Sequence, residues 1–318
     1  MKALQIRTPE DGAILCDIDV PTPGPLQVRL KIKTCGLNFA DLLVQKGTYQ
    51  DIPPFPFTMG MELAGVVDAL GDSVNGLSVG DRVAVFSGQG GLAEYGVFDA
   101  ARLIPIPASM SFEQAAAFPV AYGTSHVALS HRAQLQPGET LLVTGAAGGV
   151  GLTAVEIGKL MGARVIAHAR GADKLKVAQA AGADILIDDS EDLLARLRDL
   201  GGVDVVYDAV GGAPFKAAFR AARPEGRLLT IGFASGDVPQ VPANHLLVKN
   251  LSVIGFYIGG YMKFRPEVIR DSLVTLMGWF EAGRLSPHIS HTLPLEDVHQ
   301  GFDLLARRVS TGKVVITL

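Results

Sequence analysis

The chain has 318 residues, of which 48% are hydrophobic and 19% charged, so it can bury the cores of two ordinary domains and is not a disordered chain. A formal net charge of −4 provides no positive field for a phosphate backbone, which argues against a nucleic-acid partner. The opening MKALQIRTPEDG lacks an apolar signal core, and the longest apolar stretch, between Glu139 and Glu156, is Gly-rich and shorter than the ~20 residues of a membrane span, so the expectation is a cytoplasmic protein with no membrane partner.

The first ~120 residues are short apolar runs broken by Gly and Pro. Segments 27–36, 62–71, 81–88, 92–98 and 102–107 read as strands ended by turn residues, and together as a barrel-like β region. At Ser111 the pattern becomes helical, with Ser111 as N-cap and Gln114 in capping-box position, and Pro119 divides the segment into two helices. From Gly138 the rhythm is strand, helix, strand. Apolar runs at 140–146, 163–169, 183–189, 203–211, 226–233 and 251–257 alternate with helix-length segments. The runs are continuous rather than alternating, as a sheet covered on both faces requires, so the class is α/β with a doubly wound parallel sheet. Residues 265–285 form an amphipathic helix. The tail gives one more helix and a final strand that rejoins the N-terminal β region. The expected domains are therefore 1–121 plus 263–318, interrupted by 122–262.

The turn Ala146–Gly151, between strand and helix, has the context of a dinucleotide fingerprint. Gly148 lets the backbone approach a pyrophosphate, Gly151 lets the helix pack on the sheet, and the helix N-terminus offers unpaired N–H groups. Ala147, Gly148, Gly149 and Val150 are the expected phosphate contacts. An acid ending the next strand would bind the ribose hydroxyls of NAD. Here the strand ends at His168, Ala169 and Arg170, with Lys174 one turn on and no acid before Asp173. Arg170 and Lys174 suit a 2′-phosphate through charge-assisted hydrogen bonds, so the expected cofactor is NADPH.

Seven motifs in order, CGLNFAD (35–41), GMELAGVV (60–67), GDRV (80–83), PVAYGT (119–124), the 146–151 turn, DAVGG (208–212) and TGKVV (311–315), resemble the medium-chain dehydrogenase/reductase superfamily and, within it, the zinc-independent quinone oxidoreductases. The resemblance implies a GroES-like β-barrel domain interrupted by a Rossmann domain. Zinc-dependent relatives carry ligands where this chain has Asn38 and Met61, and no cysteine follows Cys35, so no catalytic metal is expected. Cys16 and Cys35 read as small buried hydrophobes. The seven histidines are scattered and none pairs at metal spacing.

Without a metal to polarise a carbonyl, the substrate itself must disperse charge, which favours a conjugated small-molecule acceptor. The resemblance implies that Asn38, Asp41 and Tyr49 face the reacting groups. Asn38 would donate to an acceptor oxygen or the cofactor amide, Asp41 would order the segment or cap a helix, and Tyr49 is similar in position to a proton donor of enoyl thioester reductases. It further implies that Thr124, Gly232, Phe233, Ser235, Phe256, Tyr257 and Lys313 lie along the cofactor or its cleft. In some relatives a tyrosine contacts the phosphate near the end of the third strand, where this chain has Asp189. The leading expectation is an NADPH-dependent quinone or enone reductase. The alternatives are a 2-enoyl thioester reductase and a non-catalytic NADPH-binding protein. Family members are often dimers, and the apolar 251–260 segment is a candidate homodimer edge.

Overall fold

Ahead of the first strand named from the sequence, the computed structural model, which describes residues 1–318, forms β1 (Lys2–Ile6) and β2 (Ile14–Asp17). Next come β3 (Gln27–Leu37), α1 (Phe39–Gln45), β4 (Phe57–Thr58), β5 (Glu62–Leu70), β6 (Arg82–Phe86), β7 (Tyr95–Asp99), β8 (Leu103–Pro105) and α2 (Phe112–Ala116). Helix α3 (Pro119–His126) begins at the proline that stops α2, and Ser111 and Gln114 form the expected reciprocal capping box. The helical segment then continues as a π-helical stretch, Val127–Arg132.

The sequence then enters the strand-helix rhythm: β9 (Thr140–Thr144), α4 (Gly149–Leu160), β10 (Arg164–Ala169), α5 (Ala172–Ala180), β11 (Ile185–Asp188), α6 (Leu193–Asp199), β12 (Val203–Asp208), α7 (Gly212–Ala221), β13 (Ala222–Thr230), α8 (Ala243–Lys249) and β14 (Ser252–Gly255). The apolar run after β14 turns helical as α9 (Ile258–Phe264). The chain closes with α10 (Pro266–Glu281), β15 (Ile289–Pro294), α11 (Val298–Ala306) and β16 (Lys313–Thr317).

Two compact units result, 1–120 with 273–318 and 121–272. The second junction therefore falls inside α10 rather than ahead of it. His126 Nδ1 lies 2.7 Å from Ser272 Oγ, which ties the first half of α10 to α3 in the second unit.

In the discontinuous unit, a seven-stranded sheet has the order β15-β16-β3-β5-β6-β8, with β7 on β3, and β2-β1-β4 form a smaller sheet. The final strand pairs antiparallel with β3, Val314 opposite Leu37 and Ile316 opposite Cys35. Val28, Leu30, Ile32, Leu63, Val67, Val83 and Val85 alternate inward as a single core. Each such side chain contributes about 1.5–3 kcal/mol on burial.

In the continuous unit, six parallel strands run in the order β11-β10-β9-β12-β13-β14. Leu142, Ile166, Val206 and Leu228 pack one face against Leu193, Leu197, Phe215 and Phe219 from α6 and α7. The order reverses between β9 and β12, which leaves a switch point at the carboxyl ends of those strands. β14 is an edge strand of this sheet. No helix is long and apolar enough to cross a membrane.

Candidate functional site

The continuous unit carries its expected residues at the carboxyl edge of the parallel sheet. β9 ends at Thr144, and the turn to α4 is closed by Gly148 N–H on Gly145 O at 2.9 Å and by Ala146 N–H on His168 O at 3.1 Å. Gly148 is the N-cap of α4, and the helix's own bonding starts with Leu152 N–H on Gly148 O at 2.8 Å. The N–H groups of Gly149, Val150 and Gly151 belong to the first turn, which has no intrahelical acceptor. A methyl at Gly148 would lie 3.4 Å from Gly145 O, whereas one at Gly151 would lie 2.2 Å from that same oxygen. The turn is thus open where a pyrophosphate would approach and shut where the helix rests on it, so these residues fit the phosphates of a dinucleotide. Gly151→Ala is expected to lose about 1–3 kcal/mol by prising α4 off the turn, measured by denaturant unfolding; unchanged stability would show that the close approach is relieved cheaply.

Around the turn, Arg170 extends from the end of β10 and is exposed, and Lys174 is half-buried on α5. Asp208 closes β12 with its carboxylate accepting from the Thr144 hydroxyl, from Val210 N–H at 3.3 Å and from Gly211 N–H at 2.9 Å. It therefore shapes the switch-point loop. The loop after β13 packs onto it: Gly232 N–H reaches Asp208 O at 3.3 Å and Ser235 N–H reaches Val210 O at 2.9 Å. Phe233 between them is exposed. Phe256 and Tyr257 follow β14, Phe256 buried and its N–H on Thr230 O at 3.2 Å. Thr124 is buried in α3.

In the discontinuous unit, Asn38, Asp41 and Lys313 meet around a residue that motif reading passed over, Glu62. Asn38 is the N-cap of α1, and Asp41 Oδ2 accepts its backbone N–H at 2.8 Å. Asp41 is almost wholly buried. Burial pushes its carboxyl up to about 7, against the Asn38 N–H and the Lys313 ammonium, which pull it down. Between about pH 4 and pH 7 the folded chain holds a proton that the unfolded chain releases, so this group's contribution to stability falls as pH rises through that window.

The Lys313 ammonium donates to Leu37 O at 2.7 Å, Asn38 Oδ1 at 2.7 Å and Glu62 Oε1 at 2.6 Å. An ammonium has three hydrogens, and all three are spent here. Lys313, expected among cofactor-binding residues, is instead an interior cation of its own unit. Asn38 Nδ2 donates to Glu62 Oε1 at 2.9 Å and to Gly36 O at 3.3 Å. Both amide hydrogens are taken, so Asn38, expected to donate to an acceptor oxygen, holds the corner at α1 in place. The other oxygen of Glu62 accepts Val120 N–H at 2.7 Å. Glu62 is fully buried, and every polar contact it makes is to this network. Tyr49 is half-buried in the bend after α1.

An acid opening a strand as apolar as 62–70 is the sequence signal that could have found Glu62, since a buried charge demands a partner. Its partner is 251 residues away, which no local pattern discloses.

A parallel sheet of this order with a glycine turn at its switch point defines a dinucleotide-binding unit, carried here in one chain with a β unit whose last strand comes from the far end of the sequence. Two family models match: alcohol dehydrogenase GroES-like domain over residues 24–108 and zinc-binding dehydrogenase over 149–273. The chain is 43% identical over 300 residues to quinone oxidoreductase-like protein 2 homolog of Nematostella vectensis, covering 92% of this chain and 82% of that protein. Among solved structures, the quinone oxidoreductase of Thermus thermophilus, described with its NADPH complex, superposes with a TM-score of 0.90 at 33% identity over 100% of both chains. The Escherichia coli quinone oxidoreductase complexed with NADPH gives 0.91 at 27% identity, again over 100% of both. The chain belongs to the quinone oxidoreductase family, the zinc-independent branch of the medium-chain dehydrogenases/reductases.

Proposed function

We propose that this protein is an NADPH-dependent reductase of quinones or other conjugated carbonyl acceptors, working without zinc. The observation that carries the reading is the open cradle at Gly148–Val150 beside the basic end of β10, in a chain similar to two quinone oxidoreductases whose structures are described with NADPH. Ala147, Gly148, Gly149 and Val150 would hold the pyrophosphate. Arg170 and Lys174 would receive the 2′-phosphate. Gly232, Phe233, Ser235, Phe256, Tyr257 and Thr124 would line the rest of the dinucleotide. When bound, NADPH supplies a hydride.

The name of one matching family model raises zinc, and the residues here do not fit it. Asn38 and Met61 stand where zinc-dependent relatives have ligands. No group of three or more His, Cys, Asp or Glu side chains is arranged to hold a metal. The Lys313 ammonium already occupies the oxygen cluster of Leu37, Asn38 and Glu62 and would repel a second cation. A substrate that delocalises incoming charge suits such a centre, and an isolated ketone does not. Tyr49 is the side chain proposed to donate a proton, with Asn38 and Asp41 fixing the helix ahead of it.

Arg170→Ala is expected to weaken NADPH roughly tenfold or more, the value of a charge-assisted hydrogen bond, and to leave NADH nearly unchanged. Direct binding titrations measure both. The function itself is tested by following NADPH oxidation over a panel of quinones, enones and 2-enoyl thioesters. Turnover restricted to unconjugated ketones would overturn the proposal, and no turnover of any acceptor despite tight NADPH binding would point to a non-catalytic protein.

A further inference from the structure

We propose that Asp189 sets how strongly this protein distinguishes NADPH from NADH, by competing with the 2′-phosphate for Arg170. The proposal rests on the reading in which Arg170 receives that phosphate.

The placement follows from strand register. β10 and β11 run parallel with Ala169 opposite Asp188, and Asp189 N–H bonds Ala169 O at 3.0 Å. Asp189 is therefore one step beyond the ladder, level with Arg170. Its Oδ2 lies 3.6 Å from Arg170 Nε and its Oδ1 lies 3.5 Å from His168 Nε2. His168 is the penultimate residue of β10 and Arg170 the first beyond its end, and one carboxylate meets both. Burial holds the His168 imidazole below its ordinary pKa, against the pull of Asp189, so near neutral pH the ring is uncharged. The charged partner of Asp189 is then Arg170.

Neighbouring acids are committed elsewhere. Asp188 accepts from Gly171 N–H at 2.6 Å, from Ser190 N–H at 3.0 Å and from the Ser190 hydroxyl at 2.6 Å. Glu191 accepts Asp188 N–H at 2.9 Å and pairs with Arg196 at 3.1 Å. Asp189 alone among them turns its charge on the guanidinium, and its side chain is 42% exposed, within reach of a ligand.

The consequence is electrostatic. A phosphate at Arg170 must share the guanidinium with a carboxylate already there and accept a like charge a few ångströms away. The 2′-hydroxyl of NADH carries no charge, so it meets no such repulsion, and a hydroxyl can donate to a carboxylate. Asp189 therefore handicaps NADPH and not NADH, and the chain discriminates less than Arg170 by itself would allow.

Asp189→Asn keeps the shape and removes the charge. Dissociation constants for NADPH and NADH, with 2′,5′-ADP and 5′-AMP as probes of the adenosine end alone, test the proposal beside Arg170→Ala. The expected result is NADPH and 2′,5′-ADP tightening by about two- to fivefold, the range of a partly screened charge contact, with no gain for NADH or 5′-AMP. If Arg170→Ala weakens NADPH selectively but Asp189→Asn leaves the NADPH-to-NADH ratio unchanged, the role of Asp189 is refuted while the NADPH reading stands. If Arg170→Ala weakens both cofactors equally, the phosphate does not sit there, and the reading and this inference fall together.

Discussion

Lys313→Met should cost about 3–5 kcal/mol of stability, the usual penalty for stranding one member of a buried ion pair. The variant leaves Glu62, fully buried, with only the Asn38 amide and Val120 N–H as donors. Glu62→Gln should cost a similar amount, because it strands the ammonium beside Leu37 O and Asn38 Oδ1. The informative quantity is the double variant. If the two side chains act as a pair, Glu62→Gln with Lys313→Met costs less than the sum of the singles by about 0.5–3 kcal/mol. Denaturant unfolding of all four proteins measures it. Strict additivity would mean that each group is held by its other partners and that the pair is incidental. High salt should change little in any of them, since buried pairs are poorly screened.

Tyr49→Phe is the second large effect. An enoyl thioester must be protonated on carbon after hydride arrives, and a positioned phenol supplies a general-acid factor of about 10²–10⁴. A quinone is protonated on oxygen, where solvent suffices. Turnover with both substrate classes, alongside NADPH affinity, separates the cases. A loss of that size confined to enoyl thioesters would favour a thioester reductase over a quinone reductase. A small change with every acceptor would take Tyr49 out of the reaction. Asn38 is not a ready substitute donor, because both its amide hydrogens are engaged inside the unit.

The parallel sheet was legible because a strand covered on both faces must be apolar on consecutive residues, as 141–143 and 205–207 are. The glycine turn was legible because close backbone approach leaves few alternatives to glycine at position 151. Other elements were not. β1 and β2 are short, and β2 is only partly buried, so its pattern is weak. The strand expected over 251–257 spans only Ser252–Gly255, and the apolar run continues into a helix from Ile258. At the site, Asn38, Asp41 and Lys313 were identifiable as residues, whereas what they do was fixed by Glu62, a contact made through tertiary pairing of β3, β5 and β16. Likewise Arg170 and Asp189 were each visible near the expected phosphate, and their contact with one another was visible only once β10 and β11 lay side by side.

The discontinuity of the first unit governs the order in which the molecule can be made. The unit formed by 121–272 is a single uninterrupted segment of chain, so on a ribosome it has all its strands in hand while the tail is still being translated. The β unit does not. Its seven-stranded sheet waits for β15 and β16, and Glu62 waits for Lys313, so an early segment must persist with an acid that has no cation to meet. Closing that gap brings together residues at opposite ends of the chain, the kind of contact that forms late and slowly. The same network that fixes the corner at Asn38 therefore reports on chain order: the corner acquires its final geometry only after the whole intervening unit has been made and Lys313 has followed it.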